Sequence, residues 1–580
     1  METATLSTTT DTSEHQTPIL GAEAIVKILL EENVNLIFGY PGGAIMPVYD
    51  ALHSYTQQLH HVLSRHEQGA IHAAQGYART SGKVGVCMAT SGPGATNLIT
   101  GLADALIDST PLVCITGQVH ASLLGSDAFQ ETDVVGISMP VTKWNCQITK
   151  ANDIPQALAK AFYIARSGRP GPVLVDITKN AQLELMDYAY EPCKKVKSYI
   201  PTPPMDLNQV ALAAELINKA KKPLVLVGQG VILAKAEEAL KTFIEKIGAP
   251  AASTLLGLSA LPSDHYLQVG MLGMHGNYAP NIKTNECDVL IAIGMRFDDR
   301  VTGDLKRYAK QAKVIHLEID PAEINKNVYA HVPVLGDAKR SLEALIPLVK
   351  PNMHPEWLDS FKALKTVEQD QVMTPQLYPA QDALTMAEVI RLTSELTQHN
   401  AVLVTDVGQH QMVASRYFKF TTTKSNITSG GLGTMGFALP AAFGAKLGAP
   451  DRTVVAVIGD GGFQMTLQEL GMIQQEQVDV KIIILNNNYL GMVRQWQELF
   501  FDKRYSETHI SSPDFTQIAK AYGMEGQRIS ERAKLKDALT TMLDHKGSYL
   551  LEVMVGKEDN VFPMIPTGSS VSEILLRPNS

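Results

Sequence analysis

The sequence predicts an α/β protein made of three doubly wound parallel sheets, each with helices on both faces. Short apolar runs rich in Val and Ile, most of them ending at Gly, Asn or Asp, alternate with helical stretches in three separate parts of the chain. With 580 residues the chain is longer than one hydrophobic core accommodates. Two polar, Pro-bearing connections, Cys193–Asp206 and Lys350–Ala380, separate the three parts.

These connections predict three domains and two tails. We expect an N-terminal domain at residues 18–185, a central domain at 205–350 and a C-terminal domain at 380–560. Residues 1–17 lack the basic start and apolar core of a signal peptide, and their polar composition predicts a disordered tail. Residues 561–580 are predicted to form a C-terminal tail.

The composition favours a small metabolite as the ligand. A net charge of −9 without any Lys/Arg cluster argues against nucleic acid and against an anionic membrane as partners. The five cysteines are scattered without a CxxC pair, which indicates neither a disulfide framework nor a zinc knuckle and predicts a cytoplasmic protein. No apolar run approaches the ~18 residues of a membrane span.

The most informative stretch runs from Val454 to Gly491, where two apolar runs end at Asp460 and Asn487. Each run reads as a buried parallel strand that delivers a polar residue at its carboxyl end, where α/β sheets bind ligands. The interval leaves room for one crossover helix, predicted at about Thr466–Gln477, so the two side chains should meet. A carboxylate and an amide oxygen suit Mg²⁺.

Three glycines beside this pair, Gly459, Gly461 and Gly462, let the backbone approach a diphosphate. The segment from GDGGFQ to LNNN resembles the thiamine diphosphate (ThDP) signature, a GDG followed by NN after one strand-helix passage. A chance glycine turn with a buried Asn pair is the alternative for this pattern taken alone. Further segments extend the resemblance along the chain: YPGGAIMPVYDAL, RHEQGAIHAAQGYAR, TSGPGATNLITGLADA, DAFQE, SGRPGPVLVD, MLGMHG, GMRFDDRVTG, GQHQMVAS, TSGGLGTMGFALPAA and LGMVRQWQE.

From Ile19 to Gly568 the chain resembles the catalytic subunits of the acetohydroxyacid synthase, or acetolactate synthase, family. The resemblance implies a ThDP pyrimidine-binding domain, a central FAD-binding domain and a diphosphate-binding domain. It implies decarboxylation of pyruvate and transfer of the two-carbon unit to pyruvate or 2-oxobutyrate, in the biosynthesis of branched-chain amino acids. It also implies a homodimer with active sites between chains, and a small regulatory subunit.

Glu67 is the predicted catalytic residue. Thiamine needs a carboxylate against its aminopyrimidine ring to start a proton relay, and the resemblance places that carboxylate here. A lone Glu at a helix start is usually a solvated charge, but the small and apolar neighbours of Glu67 predict burial. HExxH zinc chemistry does not fit, because His72 follows His66 by six residues rather than four.

Further cofactor residues follow from the resemblance. Gly433 would offer its carbonyl to the aminopyrimidine and Met435 would support the bent cofactor, although core packing is the ordinary role of Met. The third Mg²⁺ ligand would be the main-chain carbonyl of Tyr489. The GLGTMG segment fits a dinucleotide fingerprint only weakly, since a polar segment precedes it. The predicted diphosphate residues are Val407, Gly408, Gln409, His410, Gly461 and Gly462.

The remaining predictions concern substrate and FAD. Gly43, Phe129 and Gln130 are expected to line the reacting carbons. Lys179 and Lys143 are the candidates for contact with the substrate carboxylate. Trp496 is expected at the substrate entrance. The predicted FAD residues are Arg169, His275, Gly276, Arg296, Asp299, Arg300, Glu318, Asp320, Ile324 and Asp337.

Three alternatives remain open at this point. A flavin oxidase and a flavin-free catabolic synthase share ThDP chemistry, but the RFDDR segment Arg296–Arg300 and Trp496 favour the biosynthetic carboligase. A noncatalytic nucleotide-binding regulator would be expected to lack Glu67 or a metal ligand.

Many relatives carry Pro at the place of His120, which leaves inhibitor sensitivity open. Feedback control, the preferred second substrate and the higher oligomer are open as well.

Overall fold

A computed structural model describes residues 18–578, so the predicted disordered tail at 1–17 lies outside the described residues. Three parallel six-stranded sheets follow one another along the chain. This arrangement confirms the predicted fold class. A two-stranded antiparallel ribbon, Ile19–Leu20 with Leu185–Met186, joins the two ends of the N-terminal domain.

The N-terminal sheet has the strand order β2-β1-β3-β4-β6-β5. Its strands are β1 Leu36–Gly39, β2 His60–Leu63, β3 Gly85–Ala89, β4 Leu112–Gln118, β5 Trp144–Ile148 and β6 Pro172–Thr178. Its helices are Gly21–Glu31, Met46–Leu52, Glu67–Ser81, Pro93–Thr96, Ile99–Ile107, Val134–Ser138, Ile154–Arg166 and Lys179–Leu183.

The central sheet has a different order, β9-β8-β7-β10-β11-β12. Its strands are β7 Pro223–Val227, β8 Ala251–Ser253, β9 Gln268–Met271, β10 Val289–Ile293, β11 Lys313–Glu318 and β12 Val332–Leu335. Its helices are Leu207–Lys219, Gly230–Leu233, Glu237–Ile247, Tyr278–Thr284, Asp299–Thr302 and Ala338–Leu345, and the helices Pro355–Glu368 and Thr374–Leu377 lead to the last domain.

The C-terminal sheet, β14-β13-β15-β16-β18-β17, repeats the strand order of the N-terminal sheet. Its strands are β13 Val402–Thr405, β14 Asn426–Thr428, β15 Val454–Gly459, β16 Lys481–Asn486, β17 Glu525–Ile529 and β18 Tyr549–Met554. Its helices are Met386–Leu396, Gln409–Tyr417, Ala438–Gly448, Asp460–Thr466, Leu470–Glu476, Gly491–Phe500, Phe515–Ala521 and Arg532–Asp544.

The first and third domains pack directly against each other. Helix Glu67–Ser81 lies against helix Ala438–Gly448, and the contact depends on glycine. A Cβ on Gly76 would come within 1.9 Å of the carbonyl oxygen of Ala441, and one on Gly444 within 1.8 Å of that of Ala73. The helices therefore approach each other at backbone distance, which fixes the relation of the two domains.

The predicted crossover helix at Thr466–Gln477 is wrong in extent. The helix begins at Asp460 and ends at Thr466, and a second helix, Leu470–Glu476, follows a short 3₁₀ turn. Thr466 has φ −137° and donates its hydroxyl to the carbonyl of Gly436 at 2.9 Å, so it bonds a neighbouring loop and interrupts the helix.

The last part of the chain folds over the central domain. The amide of Ile565 donates to the carbonyl of Met274 at 2.8 Å, and Ile565, Val571 and Ile574 pack in the core of the central domain. Within residues 18–578, no helix combines the length and the apolar character that crossing a membrane requires.

Candidate active site

Two neighbouring strands of the C-terminal sheet end at Asp460 and Asn487. β15 and β16 pair in parallel with Gly459 opposite Leu485, as the two apolar runs predicted. The two side chains are 1% and 7% exposed and line one narrow cleft. The structure therefore brings the predicted carboxylate and amide together at the carboxyl edge of the sheet.

The cleft also contains most of the residues that the resemblance assigns to ThDP and Mg²⁺. Two of these residues are exceptions: Gly433 lines a larger adjacent cavity, and Glu67 lies outside both spaces. Five residues line both spaces: Val407, Gly408, Met435, Met492 and Val493. The predicted residues in the cleft, besides Asp460 and Asn487, are Val407, Gly408, Gln409, His410, Met435, Gly461, Gly462 and Tyr489.

The electrostatics of the cleft suit a cation. Burial raises the pKa of Asp460 to about 6, and the hydroxyl of Ser512 donates to its Oδ2 at 3.1 Å. A buried carboxylate whose donors are neutral keeps negative charge that a divalent ion neutralises. Oδ1 of Asn487 accepts the N–H of Tyr489 at 3.0 Å, which fixes the orientation of the amide.

Glycine walls leave space for a diphosphate. A Cβ on Gly459 would come within 2.8 Å of Cε1 of His410, and one on Gly461 within 2.8 Å of Cδ2 of Leu490. Any side chain at either position would therefore displace a neighbour and fill the cleft. A carboxylate oxygen, an amide oxygen and this open backbone fit a Mg²⁺-diphosphate.

The predicted diphosphate loop is held by its neighbours. Burial lowers the pKa of His410 to about 4, so the ring is neutral at pH 7, and its Nε2 accepts the N–H of Gly459 at 3.3 Å. Nε2 of Gln409 donates to Oε1 of Gln495 at 2.9 Å. The loop is thus fixed between β15 and helix Gly491–Phe500.

Glu67 is the first residue of helix Glu67–Ser81 in the N-terminal domain. Its side chain is buried, as its neighbours predicted, and Nδ2 of Asn97 donates to its Oε2 at 2.9 Å. Glu67 belongs to the lining of neither the cleft nor the large cavity of its own chain. Within one chain the two predicted parts of the cofactor site therefore lie apart.

The predicted substrate residues Gly43, Phe129, Gln130 and Lys179 also lie outside the lining of the cleft and the large cavity. Phe129 is 88% exposed, Lys179 is exposed, and nothing lies within 4 Å of a Cβ built on Gly43. Gln130 has φ 59°, in the left-handed region.

A cavity of 860 Å³ lies where the three domains meet. This volume falls in the range of small-molecule sites, roughly 300–1,000 Å³. Gly276, Asp320 and Ile324 lie outside its lining. The other seven predicted FAD residues line it: Arg169, His275, Arg296, Asp299, Arg300, Glu318 and Asp337.

The central domain has further features of a dinucleotide site. Its strand order, counted within the domain, is 3-2-1-4-5-6, the order of dinucleotide-binding sheets. Glu318 ends β11, and burial raises its pKa to about 7. Nδ1 of His275 is buried without a hydrogen-bond partner among the described residues, and burial lowers the pKa of this ring to about 3. The residues present fit FAD.

Trp496 lies on helix Gly491–Phe500. It lines the large cavity and an adjoining groove that also includes Met492, Val493 and Phe501. The indole is half-buried and meets the ring of Phe500 edge to face, with centroids 5.6 Å apart. This position is compatible with the predicted place of Trp496 at the substrate entrance.

Comparisons with known proteins agree with this geometry. The chain matches the N-terminal TPP binding domain of thiamine pyrophosphate enzymes at residues 19–137, their central domain at 210–345 and their C-terminal TPP binding domain at 406–553. It is 49% identical over 558 residues to the acetolactate synthase isozyme 2 large subunit of Escherichia coli, which covers 96% of this chain and 99% of that protein.

The chain belongs to the acetolactate synthase large-subunit family. It is also 47% identical to the acetolactate synthase large subunit of Corynebacterium glutamicum, over 96% of this chain and 90% of that protein. The identity to the acetolactate synthase large subunit of Lactococcus lactis is 43%, over 96% of each chain.

One substrate prediction is wrong for this acetolactate synthase family member. Nζ of Lys143 donates to the carbonyls of Ile164 and Ser167 at 2.6 and 2.9 Å and to the hydroxyl of Tyr199 at 3.0 Å. Burial lowers its pKa to about 8. All three ammonium protons have partners in the N-terminal domain or in the connection that follows it, so none is free for a substrate carboxylate.

Sequence reasoning missed the residues that hold the site residues in place. Asn97 and Ser512, which donate to Glu67 and Asp460, were not singled out. Asn97 follows the TSGPGA segment that carries part of the acetolactate synthase resemblance, so its place in that motif was an available signal. Ser512 lies in a polar loop without any such signal.

Proposed function

We propose that the protein is a ThDP-dependent carboligase that decarboxylates pyruvate and joins the two-carbon unit to a second 2-oxo acid. The product is 2-acetolactate from two pyruvate molecules, or 2-aceto-2-hydroxybutyrate when 2-oxobutyrate is the acceptor. This reaction is the first common step of valine, leucine and isoleucine biosynthesis. The observation that carries the proposal is the pair Asp460 and Asn487, which meet in a glycine-walled cleft that shares residues with the large cavity.

The cofactors are ThDP, Mg²⁺ and FAD. Asp460, Asn487 and the carbonyl of Tyr489 would hold Mg²⁺, and the loop Val407–His410 would hold the diphosphate. The unmet charge of Asp460 and the glycine walls support this assignment. FAD would occupy the large cavity, in keeping with the unpartnered Nδ1 of His275 and the central strand order.

Bound ThDP supplies the electron sink for the carbon that loses CO₂. Glu67 would hold and move a proton at the aminopyrimidine ring, and Asn97 keeps its carboxylate oriented. Met492, Val493 and Trp496 give the cavity an apolar wall that limits the access of water, which would otherwise protonate the reacting carbon.

The active unit would be a homodimer. Glu67 lies outside the cleft of its own chain, and the exposed Phe129 beside Gln130 offers a surface for a second copy. The relatives named above are large subunits, which supports a small regulatory subunit as a further partner. The five free cysteines accord with a cytoplasmic location.

The test is an acetolactate assay on the purified full chain after removal and stepwise return of ThDP, Mg²⁺ and FAD. We expect activity with pyruvate only when ThDP and Mg²⁺ are present, and restoration to depend on FAD. Direct titration of the same preparation with each cofactor separates failure to bind from failure to react. Absence of product with all three cofactors bound would refute the proposed activity.

A further inference from the structure

Three consecutive residues after helix Ile99–Ile107 connect the N-terminal domain to both other domains. The first is Asp108, whose side chain is fully buried. Its Oδ2 accepts the main-chain N–H of Gly430 at 2.8 Å, and its Oδ1 accepts that of Gly431 at 2.7 Å. One carboxylate of the N-terminal domain thus binds two successive backbone amides of the C-terminal domain.

The second residue, Ser109, contacts the central domain through Arg169. Nε of Arg169 donates to the hydroxyl of Ser109 at 2.9 Å, and its Nη1 donates to Asp320 at 3.1 Å and to Glu323 at 2.9 Å. Ser109 is buried and has φ 55°, in the left-handed region that costs a non-glycine residue free energy. The surrounding contacts hold this conformation.

The third residue, Thr110, belongs to the same network through Arg79. Nε of Arg79 donates to the hydroxyl of Thr110 at 3.0 Å, and its Nη2 donates to Oδ2 of Asp108 at 3.0 Å. Nη1 of Arg79 reaches the carbonyl of Thr428 at 2.5 Å. The ion pair Arg79–Asp108 therefore binds the N–H groups of Gly430 and Gly431 and the carbonyl of Thr428, which directly precedes their segment.

The segment held in this way, Ser429–Met435, belongs to the proposed cofactor site. Gly430, Gly431, Leu432, Gly433 and Met435 line the large cavity, and Met435 also lines the narrow cleft. The N-terminal domain supplies a further anchor, since Oδ1 of Asp104 accepts the hydroxyls of Ser429 and Thr434. From the C-terminal domain itself, Nε2 of Gln411 donates to the carbonyl of Ser429 at 3.1 Å.

The ordinary role of a buried interdomain ion pair is structural, and such a pair adds little stability over apolar packing. Two features favour a second role here. The carboxylate binds backbone amides of the segment rather than side chains, so it sets backbone conformation. The residues on both sides of the contact, Ser109 and Gly430–Gly431, themselves line the cavity.

We propose that Asp108 is a positioning residue for the cofactor site: it sets the backbone of Ser429–Met435 from the neighbouring domain. Through Ser109 and Arg169 the same turn contacts Asp320, which directly follows Glu318 and Ile319 of the cavity wall. The proposal rests on the proposed function in naming ThDP and FAD as the ligands. Asp108 touches neither ligand and acts through the main chain of the C-terminal segment.

The experiment measures cofactor affinity of the full-length Asp108→Asn variant. An Asn side chain offers one oxygen to two amides and turns an NH₂ group toward the other donor. We expect the Kd for ThDP with Mg²⁺ and the Kd for FAD at 25 °C to rise roughly tenfold or more, the scale for losing a hydrogen bond to a charged group. The absorbance bands of bound flavin should broaden. A purely structural role would lower Tm and leave both Kd values unchanged.

The control is Asp153→Asn, which neutralises an exposed carboxylate that makes no cap hydrogen bond. It should bind both cofactors as the wild type does. If Asp108→Asn does not fold, the same two Kd values are measured for Asp108→Glu. This variant keeps the charge beside Arg79 and moves the carboxylate by one methylene. Wild-type affinity in a folded variant overturns the proposal, and so does failure of both variants to fold. A wild type that binds neither cofactor refutes the proposed function itself.

Discussion

The side-chain amide of Asn97 donates a 2.9 Å hydrogen bond to Oε2 of Glu67. Asn97 caps the short helix Pro93–Thr96, and a Cβ on Gly94 in that helix would lie 3.3 Å from Oε1 of Glu67. The segment therefore orients one carboxylate oxygen and leaves room beside the other. The orientation of Glu67 is set within its own domain, before any second chain contributes.

The Glu67→Gln variant tests the proton-transfer role. Gln keeps the shape and can still meet Asn97, but it cannot take up or release a proton at the cofactor. We expect wild-type folding and ThDP affinity, with turnover lower by on the order of a hundredfold or more. Circular dichroism, ThDP titration and the acetolactate assay check this. Glu31→Gln, an exposed change in the same domain, is the control. Near-normal turnover would contradict the assignment.

The Asp460→Ala variant tests the metal ligand. The diphosphate keeps its charge while one carboxylate ligand of Mg²⁺ is lost, so ThDP should bind more weakly and require more Mg²⁺. Titration of ThDP at several fixed Mg²⁺ concentrations measures the change, and excess cofactor should restore part of the activity. If the titrations of variant and wild type coincide, Asp460 is not a ligand.

Mixing these two variants tests the site between chains. A Glu67→Gln chain keeps Asp460, and an Asp460→Ala chain keeps Glu67, so a mixed dimer has one complete site and one doubly defective site. Random exchange makes about half of the dimers mixed, and the mixture should regain about a quarter of wild-type activity. The separate variants, treated identically, are the controls. No gain over their average would contradict a shared site.

The sequence predicted the parts of the site that follow from local pattern. Apolar strands with polar ends placed Asp460 and Asn487 correctly, because parallel strands present their carboxyl ends at one edge. The helix after Asp460 was mispredicted since Thr466 bonds to a loop from elsewhere in the domain. The prediction that Lys143 contacts the substrate was wrong for the same reason, because its three hydrogen-bond acceptors come together only in the folded protein. Contacts such as Asp108 with Gly431 join distant segments, and no periodicity encodes them.

The Asp176→Asn variant tests a pH dependence of stability. Asp176 is buried and accepts hydrogen bonds from Thr116, Gln118 and Gln147, yet burial raises its pKa to about 6 from 3.8. The folded state therefore holds the proton more tightly than the unfolded state. The protonated carboxyl group therefore contributes to the free energy of unfolding. This contribution is fully present below about pH 4 and is lost as the pH rises through about 6.

The Tm of the wild type relative to that of Asp176→Asn should accordingly be highest near pH 4 and fall until about pH 7. Calorimetric scans of both proteins across this range, at one scan rate, measure the difference. Asp176 is also linked to the predicted substrate residues. Gln118, which donates to Asp176, donates to the carbonyl of Thr132 as well, and Thr132 lies two residues after Gln130. A constant difference in Tm would show that Asp176 has the same pKa in both states.

Trp496 provides a test of substrate selection. Its indole lines the large cavity beside Met492 and Val493, and it also packs near a small apolar cluster with Met564. If the indole contacts the extra methyl of 2-oxobutyrate, the contact is worth about 1–3 kcal/mol, the range for one methylene in an apolar pocket. If the indole serves only packing, its loss lowers stability and affects both reactions alike.

We therefore expect Trp496→Leu to retain most acetolactate formation and to lose preference for 2-oxobutyrate over pyruvate as the acceptor. Leu keeps an apolar surface, so the helix Gly491–Phe500 and its contact with the cavity should persist, while the ring that reaches the acceptor is gone. A competition assay that quantifies both products from mixed 2-oxo acids gives the ratio directly. Leu499→Ala, a change on the same cluster but outside the cavity lining, controls for loss of packing. A product ratio equal to that of the wild type would falsify the selectivity role.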